Sequence, residues 1–134
     1  MASFHLKIVT PDGICFDGQA EELIVRTTNG DMGILAGHTN CVAPLGMGRA
    51  TVVVDGVKRY AACIGGMVSV VAGSVSLVPT TFEWAEEIDM ARAERSRERA
   101  QMVLDDKKSE QTEILLAKAR LRRALVRKSV SSGK

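Results

Sequence analysis

Aromatic side chains are nearly missing from this chain, with one Trp, one Tyr and three Phe among 134 residues. Any core must therefore be built from Val, Ile, Leu, Ala and Met, which bring the hydrophobic share to 46%, ordinary for a globular protein. Cysteine occurs three times, at Cys15, Cys41 and Cys63, with no C-x-x-C pair. That odd count excludes a fully paired disulfide framework and predicts reduced, buried thiols in a cytoplasmic protein. His38 and Cys41 find no second ligand pair for zinc, so no metal site is expected. No apolar run approaches the ~20 residues of a membrane span. The opening MASFHLKIV has neither the basic start nor the long apolar stretch of a secretion signal. No serine stands with a histidine and a carboxylate in a nucleophile setting. The glycine-rich run from Asn29 to Gly48 lacks the Gly-Lys-Ser/Thr ending of a phosphate loop and precedes no helix, so its glycines read as turns. No catalytic residue is expected.

The character of the chain changes after Pro79. Before it, FHLKIVT alternates Phe4, Leu6 and Ile8 with His5, Lys7 and Val9, the pattern of a strand with one buried face. Pro11-Asp12-Gly13, Asn29-Gly30, Asp55-Gly56 and Ala72-Gly73 punctuate β-branched runs at the short spacing of a sandwich or barrel. After it, residues 86–106 contain neither Gly nor Pro and are rich in Ala, Glu, Arg and Met, all good helix formers. Glu86, Glu87 and Asp89 fall in the expected first turn, where the helix dipole favours acids. A polar link, DDKKSEQT, leads to a second helical stretch, EILLAKARLRRALVRK. Ile114, Ala117, Leu121, Ala124 and Leu125 recur there at helical intervals, facing a thinner stripe of Ala93, Ala100, Val103 and Leu104. The pattern predicts strands over residues 1–84 and an antiparallel helical hairpin over 85–134, turning near Lys107 to Ser109. The hairpin is held by little apolar area, which would let it move away from a partner, and the final SVSSGK is expected to fray.

Charge is unevenly placed. The formal net charge is +2, yet residues 1–84 hold five basic and seven acidic residues, leaving thirteen basic against nine acidic for the hairpin. Such an arm is suited to something anionic. Ile88, Arg92, Arg95 and Arg99 follow one another at intervals of four, three and four, so they share a helix face. Antiparallel return would set Arg92 opposite Arg122 and Arg123. Converging guanidinium groups repel unless carboxylates or an added anion offset them. Asp89 and Glu83 supply some negative charge and a nucleoside triphosphate would supply more, because arginine forks match phosphate oxygens. Asp89 could in turn accept a hydrogen bond from an adenine amino group. A salt-bridged, solvated helix face fits the same spacing, which leaves the choice open. Arg95, Arg97, Arg120, Arg122, Arg123, Arg127 and Lys128 could also track a phosphate backbone. Interspersed acids and the lack of an aromatic stacking platform argue against it, and no nucleic-acid partner is expected.

Four stretches, IVTPDGICFDG, RTTNGDMGILAGH, IGGMVSVV and EEIDMARA, occur in that order. Together they resemble the epsilon-subunit family of bacterial F-type ATP synthases, over nearly all of residues 3 to 127. The resemblance implies an α+β chain, with a flattened N-terminal β-sandwich of about ten short strands in residues 1–84 and a C-terminal antiparallel α-helical hairpin in 85–134. It implies a non-catalytic subunit at the foot of the rotor of a proton- or sodium-translocating synthase, peripheral on the cytoplasmic face of the cell membrane and meeting the membrane only through the complex. The partners implied are the gamma subunit, the c-ring and, when the arm extends, the alpha and beta subunits, whose ATP hydrolysis it regulates. Ile88, Asp89, Arg92 and Ala93 match the family's Ile/Leu-Asp-x-x-Arg-Ala pattern for ATP, taken alone or with Mg as a regulatory ligand beside no obligatory cofactor. Glu83, Arg99 and Arg122 stand where nucleotide-binding relatives place supporting residues. Val126 replaces a frequent arginine, with Arg127 one residue on and so about 100° round the helix. The loop of Asn29, Gly30, Asp31 and Met32 resembles the segment facing the c-ring, and His38 lies in the gamma-facing stretch, followed by Thr39-Asn40 where relatives usually have Ala-Pro. The alternative implied is the same coupling role without physiologically relevant ATP binding.

Overall fold

A computed structural model describes residues 2–131. The described residues form ten strands: β1 (Phe4–Thr10), β2 (Gly13–Ala20), β3 (Glu22–Thr27), β4 (Gly30–Leu35), β5 (Cys41–Pro44), β6 (Met47–Val54), β7 (Val57–Ile64), β8 (Met67–Val71), β9 (Ser74–Val78) and β10 (Thr81–Trp84). They make two five-stranded sheets, ordered β2-β1-β9-β8-β5 and β10-β7-β6-β3-β4. β1 runs parallel to β9, through Leu6↔Val75 and Ile8↔Leu77. The chain divides into two compact units, Met1–Trp84 and Ala85–Lys134.

In the first unit the alternation of β1 becomes packing. Phe4, Leu6 and Ile8 point into a core shared with Leu23, Val25, Ile34, Val52, Val68, Val70 and Leu77. Full burial of each such side chain contributes about 1.5–3 kcal/mol, so a core built mostly of aliphatic residues suffices. Three of the five aromatics gather at one place. Trp84 meets the edges of Phe82 and Phe16 at ring-centre distances of 4.9 and 6.4 Å, under an Arg59 guanidinium 3.8 Å from the indole centre. Cys63 is buried, whereas Cys15 and Cys41 are only half-buried against the core, which corrects the expectation of three buried thiols.

Two hairpin turns show the chemistry expected of them. Asp55 and Gly56 have φ of 52° and 77°, and Ala72 and Gly73 have 50° and 82°, the positive pairs of a type I′ turn. Ala72 is an unusual residue there, and its amide N–H donates to Asn40 Oδ1 at 2.9 Å. Gly66, at φ +95°, has a separate reason to be glycine, because a Cβ would run into the Val78 carbonyl and Pro79 Cα.

The second unit holds a single 3-10 turn (Ala85–Glu87), α1 (Met90–Asp105) and α2 (Gln111–Ser131), joined through residues 106–110 across the expected turn. Glu86 and Glu87 sit in that separate turn and not in the first turn of α1, because Asp89 is the N-cap and breaks the helical run. Ala93 and Ala100 on α1 and Ala117 and Ala124 on α2 are buried, with Val103, Leu104, Ile114 and Leu121 half-buried. Leu125 departs from the expected stripe at 48% exposed, since one position past Ala124 is a 100° turn away. Ser129 to Ser131 do not fray: they complete α2, with Val130 buried, while 132–134 lie outside the described residues. No helix among the described residues is long and apolar enough to cross a membrane.

Candidate functional site

The Ile-Asp-x-x-Arg-Ala stretch builds the start of α1. Asp89 has extended backbone (φ −83°, ψ 101°), and its carboxylate accepts a hydrogen bond from the Arg92 N–H at 3.0 Å. Its carbonyl accepts from the Ala93 N–H, also at 3.0 Å. Asp89 is thus an N-cap that satisfies one of the orphan donors of the first turn. Ile88 and Ala93, both buried, hold the N′ and N4 positions of a hydrophobic staple. Three of the four motif residues are therefore used in starting the helix. Arg92 is the exception: its backbone takes part, but its guanidinium projects from the end of a helix where the dipole prefers an anion.

Glu94, Arg97 and Lys128 are matched to one another. Glu94 Oε1 receives Arg97 Nη2 at 2.6 Å and Nε at 2.8 Å, and Glu94 Oε2 receives Lys128 Nζ at 2.6 Å. Hydrogen bonds from Lys128 and then Arg97 hold the Glu94 carboxyl below its ordinary value, and Glu94 raises Arg97 in return. The Glu94–Lys128 pair joins α1 to α2, beside a seam of buried Ala93, Ala100, Ala117 and Ala124.

Arg92 and Arg99 instead share a cleft between α1 and α2 with Arg120. Ser96, Ala100, Met102, Val103 and Ala117 complete its lining, around a cavity of about 640 Å³, within the usual range for small-molecule sites. Among the described residues no acidic one lines it, and the three guanidinium groups form no ion pair. A cleft with three unmatched cations and an apolar floor is chemically fitted to a phosphate-bearing molecule. Sequence spacing found Arg92 and Arg99 but passed over Ser96, an uncharged residue on the same face of α1, and Arg120, because the way α2 turns toward α1 was not legible. Arg122 is exposed and is not part of this lining.

The remaining candidates lie in the first unit. Glu83 is half-buried on β10, opposite Ala62 of β7. Asn29 and Gly30 close the β3–β4 hairpin, where Thr27 Oγ1 donates to the Gly30 carbonyl at 2.7 Å and accepts from the Asn29 N–H at 3.1 Å. Asp31 faces Arg26 at 3.7 Å, and Met32 packs against the core. His38 lies beyond the other end of β4, roughly 20 Å of strand away. Its Nδ1 is 2.8 Å from the Thr39 carbonyl and 4.0 Å from Cys41 Sγ. Among the described residues no group of three or more His, Cys, Asp or Glu side chains could hold a metal ion.

Residues 3–85 match the family described as ATP synthase, Delta/Epsilon chain, beta-sandwich domain, and residues 86–132 match its long alpha-helix domain. The chain is similar to an ATP synthase epsilon chain of Ruminococcus albus, 44% identical over 135 residues and covering 100% of both chains. It is also similar to an ATP synthase epsilon chain of Caldanaerobacter subterraneus subsp. tengcongensis, 40% identical over 97% of this chain and 94% of the other. Among solved structures, a chain of the Euglena gracilis mitochondrial ATP synthase, in its OSCP/F1/c-ring assembly, shares the fold. It has a TM-score of 0.85 and 23% identity, over 96% of this chain and 81% of that one. A chain of the Tetrahymena thermophila central stalk and c-ring aligns with a TM-score of 0.60 and 14% identity, over 95% of each.

Proposed function

The chain belongs to the ATP synthase delta/epsilon family as an epsilon chain, and from that membership we propose that it is a central-stalk subunit whose hairpin senses ATP. It is a non-catalytic subunit. In this reading the sandwich joins the gamma subunit to the c-ring, with Asn29, Gly30, Asp31 and Met32 toward the c-ring and His38 toward gamma. The subunit lies peripherally on the cytoplasmic face of the membrane. The hairpin moves between a folded arm and one extended toward the alpha and beta subunits, where it restrains ATP hydrolysis. ATP, alone or with Mg, favours the folded arm by occupying the site of Ile88, Asp89, Arg92, Ala93 and Arg99, with Glu83 and Arg122 as supporting residues.

One observation carries the sensing reading: Arg92 and Arg99 share a cleft with no carboxylate to neutralise them, while neighbouring Arg97 is fully engaged by Glu94. Weak seams favour such regulation, since an arm held by alanine methyl groups needs little ligand energy to shift its equilibrium. Calorimetric titration of the isolated protein with ATP and with ATP-Mg, followed by small-angle scattering, is the direct test. Heat at millimolar ATP with a more compact particle is the expected result. No heat would remove the sensing role and leave the coupling role as the function. That second reading has its own support, in that Ile88, Asp89 and Ala93 already have structural work at the start of α1.

A further inference from the structure

We propose that Arg26 is a positioning residue for the tip of the β3–β4 hairpin, where it holds Asp31 in place for the c-ring. The proposal rests on the reading above that turns this tip toward the c-ring. Arg26 and Asp31 are direct cross-strand partners, one pair inside the closing pair Thr27↔Gly30. Opposite charges so placed attract, and Arg26 Nη1 lies 3.7 Å from Asp31 Oδ1. Along β3 the side chains of Leu23, Val25 and Thr27 are buried and Arg26 is exposed, so its charge is spent on no core contact.

An exposed ion pair ordinarily contributes little, because two freely rotating side chains must be brought into one geometry. Arg26 has already lost much of that freedom. A Cβ added to Gly48 would lie 2.7 Å from Arg26 Cβ, 3.1 Å from its Cγ and 3.8 Å from its Nε, and one added to Gly46 would lie 3.5 Å from its Cγ. Neither glycine has positive φ, so at Gly48 it is the close approach of the arginine stem that requires glycine. The backbone beneath is fixed too. The Gly46 N–H donates to the Arg26 carbonyl at 2.9 Å, and the Thr28 N–H donates to the Pro44 carbonyl at 3.2 Å. β4, in contrast, is the outermost strand of its sheet, beside β3. The hairpin therefore has an anchored arm bearing an oriented cation and an edge arm bearing Asp31. Attraction across the strands passes the anchoring of the first arm to the second.

The test uses the full chain carrying Arg26→Ala, Arg26→Lys, Asp31→Asn, or Arg26→Ala with Asp31→Asn, with thermal melts to check folding. Amide hydrogen exchange at Gly30 and Met32, on either side of Asp31, reads the tip, and reassociation with synthase stripped of this subunit reads the c-ring contact. At low salt Arg26→Ala and Asp31→Asn should each speed tip exchange about threefold, the scale of an exposed cross-strand pair. The double variant should go no further than either alone, as for two residues acting through one interaction. In about 1 M salt, where charges are screened beyond about 3 Å, the effect should disappear, whereas a loss of packing by the arginine stem would persist. Arg26→Lys should keep part of the protection, since it keeps the charge without the fork. Reassociation should weaken about threefold in each single variant, again without adding in the double. Unchanged tip exchange in Arg26→Ala, an effect indifferent to salt, or additive losses in either assay overturns the proposal. Weaker reassociation in Asp31→Asn but not in Arg26→Ala sinks the proposal alone. Unchanged reassociation in both sinks the c-ring reading of this tip and the proposal with it.

Discussion

Replacing Asp89 with alanine separates the two uses that one residue can have. Its carboxylate accepts from the Arg92 N–H at 3.0 Å and closes the first turn of α1. Loss of an N-cap oxygen costs about 1 kcal/mol, and loss of its negative charge at the helix N-terminus a further 0.3–1 kcal/mol or so. The seam below is made largely of Ala93, Ala100, Ala117 and Ala124, so little nearby packing can mask the change. A combined loss of about 1.3–2 kcal/mol multiplies the local opening equilibrium roughly ten- to thirtyfold. Amide hydrogen exchange followed by NMR should therefore show the Arg92 and Ala93 amides exchanging about ten to thirty times faster in Asp89→Ala. The Leu23 and Val25 amides of the sandwich should be unchanged. Asp89→Asn keeps an oxygen acceptor but loses the charge, and should stay within about fivefold of the unmodified chain. If ATP binding is nonetheless lost in Asp89→Asn, the carboxylate itself meets the ligand. Unchanged exchange at Arg92 in Asp89→Ala would refute the claim that this hydrogen bond starts the helix.

Three further outcomes are expected. Gly66→Ala forces a left-handed residue and a backbone collision at Val78, which should lower the urea stability of the sandwich by roughly 3 kcal/mol or more. Gly33→Ala, where a Cβ meets nothing within 4 Å, is the matched control and should change little. Burial pushes the Cys63 thiol from 9.0 up to about 12. Above pH 9 the unfolded chain therefore loses a proton that the folded one keeps, and stability should fall between pH 9 and 12 by at most about 1.4 kcal/mol per pH unit. Cys63→Ala should flatten that slope in alkaline urea titrations. Glu94 behaves in the opposite sense. Its carboxyl is lowered from 4.5, so its stabilisation is present above that value and disappears as the pH falls through the depressed folded value. Helix exchange rates should rise in that acid window, and Glu94→Gln should remove the dependence.

Local chemistry made much of the fold legible and longer-range geometry made the rest illegible. Asp55-Gly56 and Ala72-Gly73 announce their turns because few residues accept positive φ, and both pairs adopt it. The alternation in Phe4, Leu6 and Ile8 named the buried face of β1, since a strand has only two faces. Nothing local indicates that β1 should lie beside β9, some seventy residues later. The function of the second glycine in Ile-Gly-Gly-Met is equally remote, as it depends on Val78 and Pro79. At the candidate site, spacing along α1 correctly joined Arg92 to Arg99. It did not join Arg120 to them, because the rotation of α2 about its own axis is not written in the spacing of α1. Asp89 was visible as part of a motif, but its capping role was hidden by extending the helix through Glu86.

The parallel pairing of β1 with β9 also imposes an order in time. During synthesis the first strand emerges with β2 for company, but its other neighbour is not made until residue 74. The first sheet cannot close before then, and loop-closure entropy makes such distant pairing slow. The hairpin draws on neighbours close in sequence, and its helices can form within microseconds of leaving the ribosome. One chain thus carries a slow, late-closing half and a fast, self-sufficient half. A nascent chain stopped between β5 and β8 would hold β1 with an unpaired edge, the stage at which this protein is most open to misassembly.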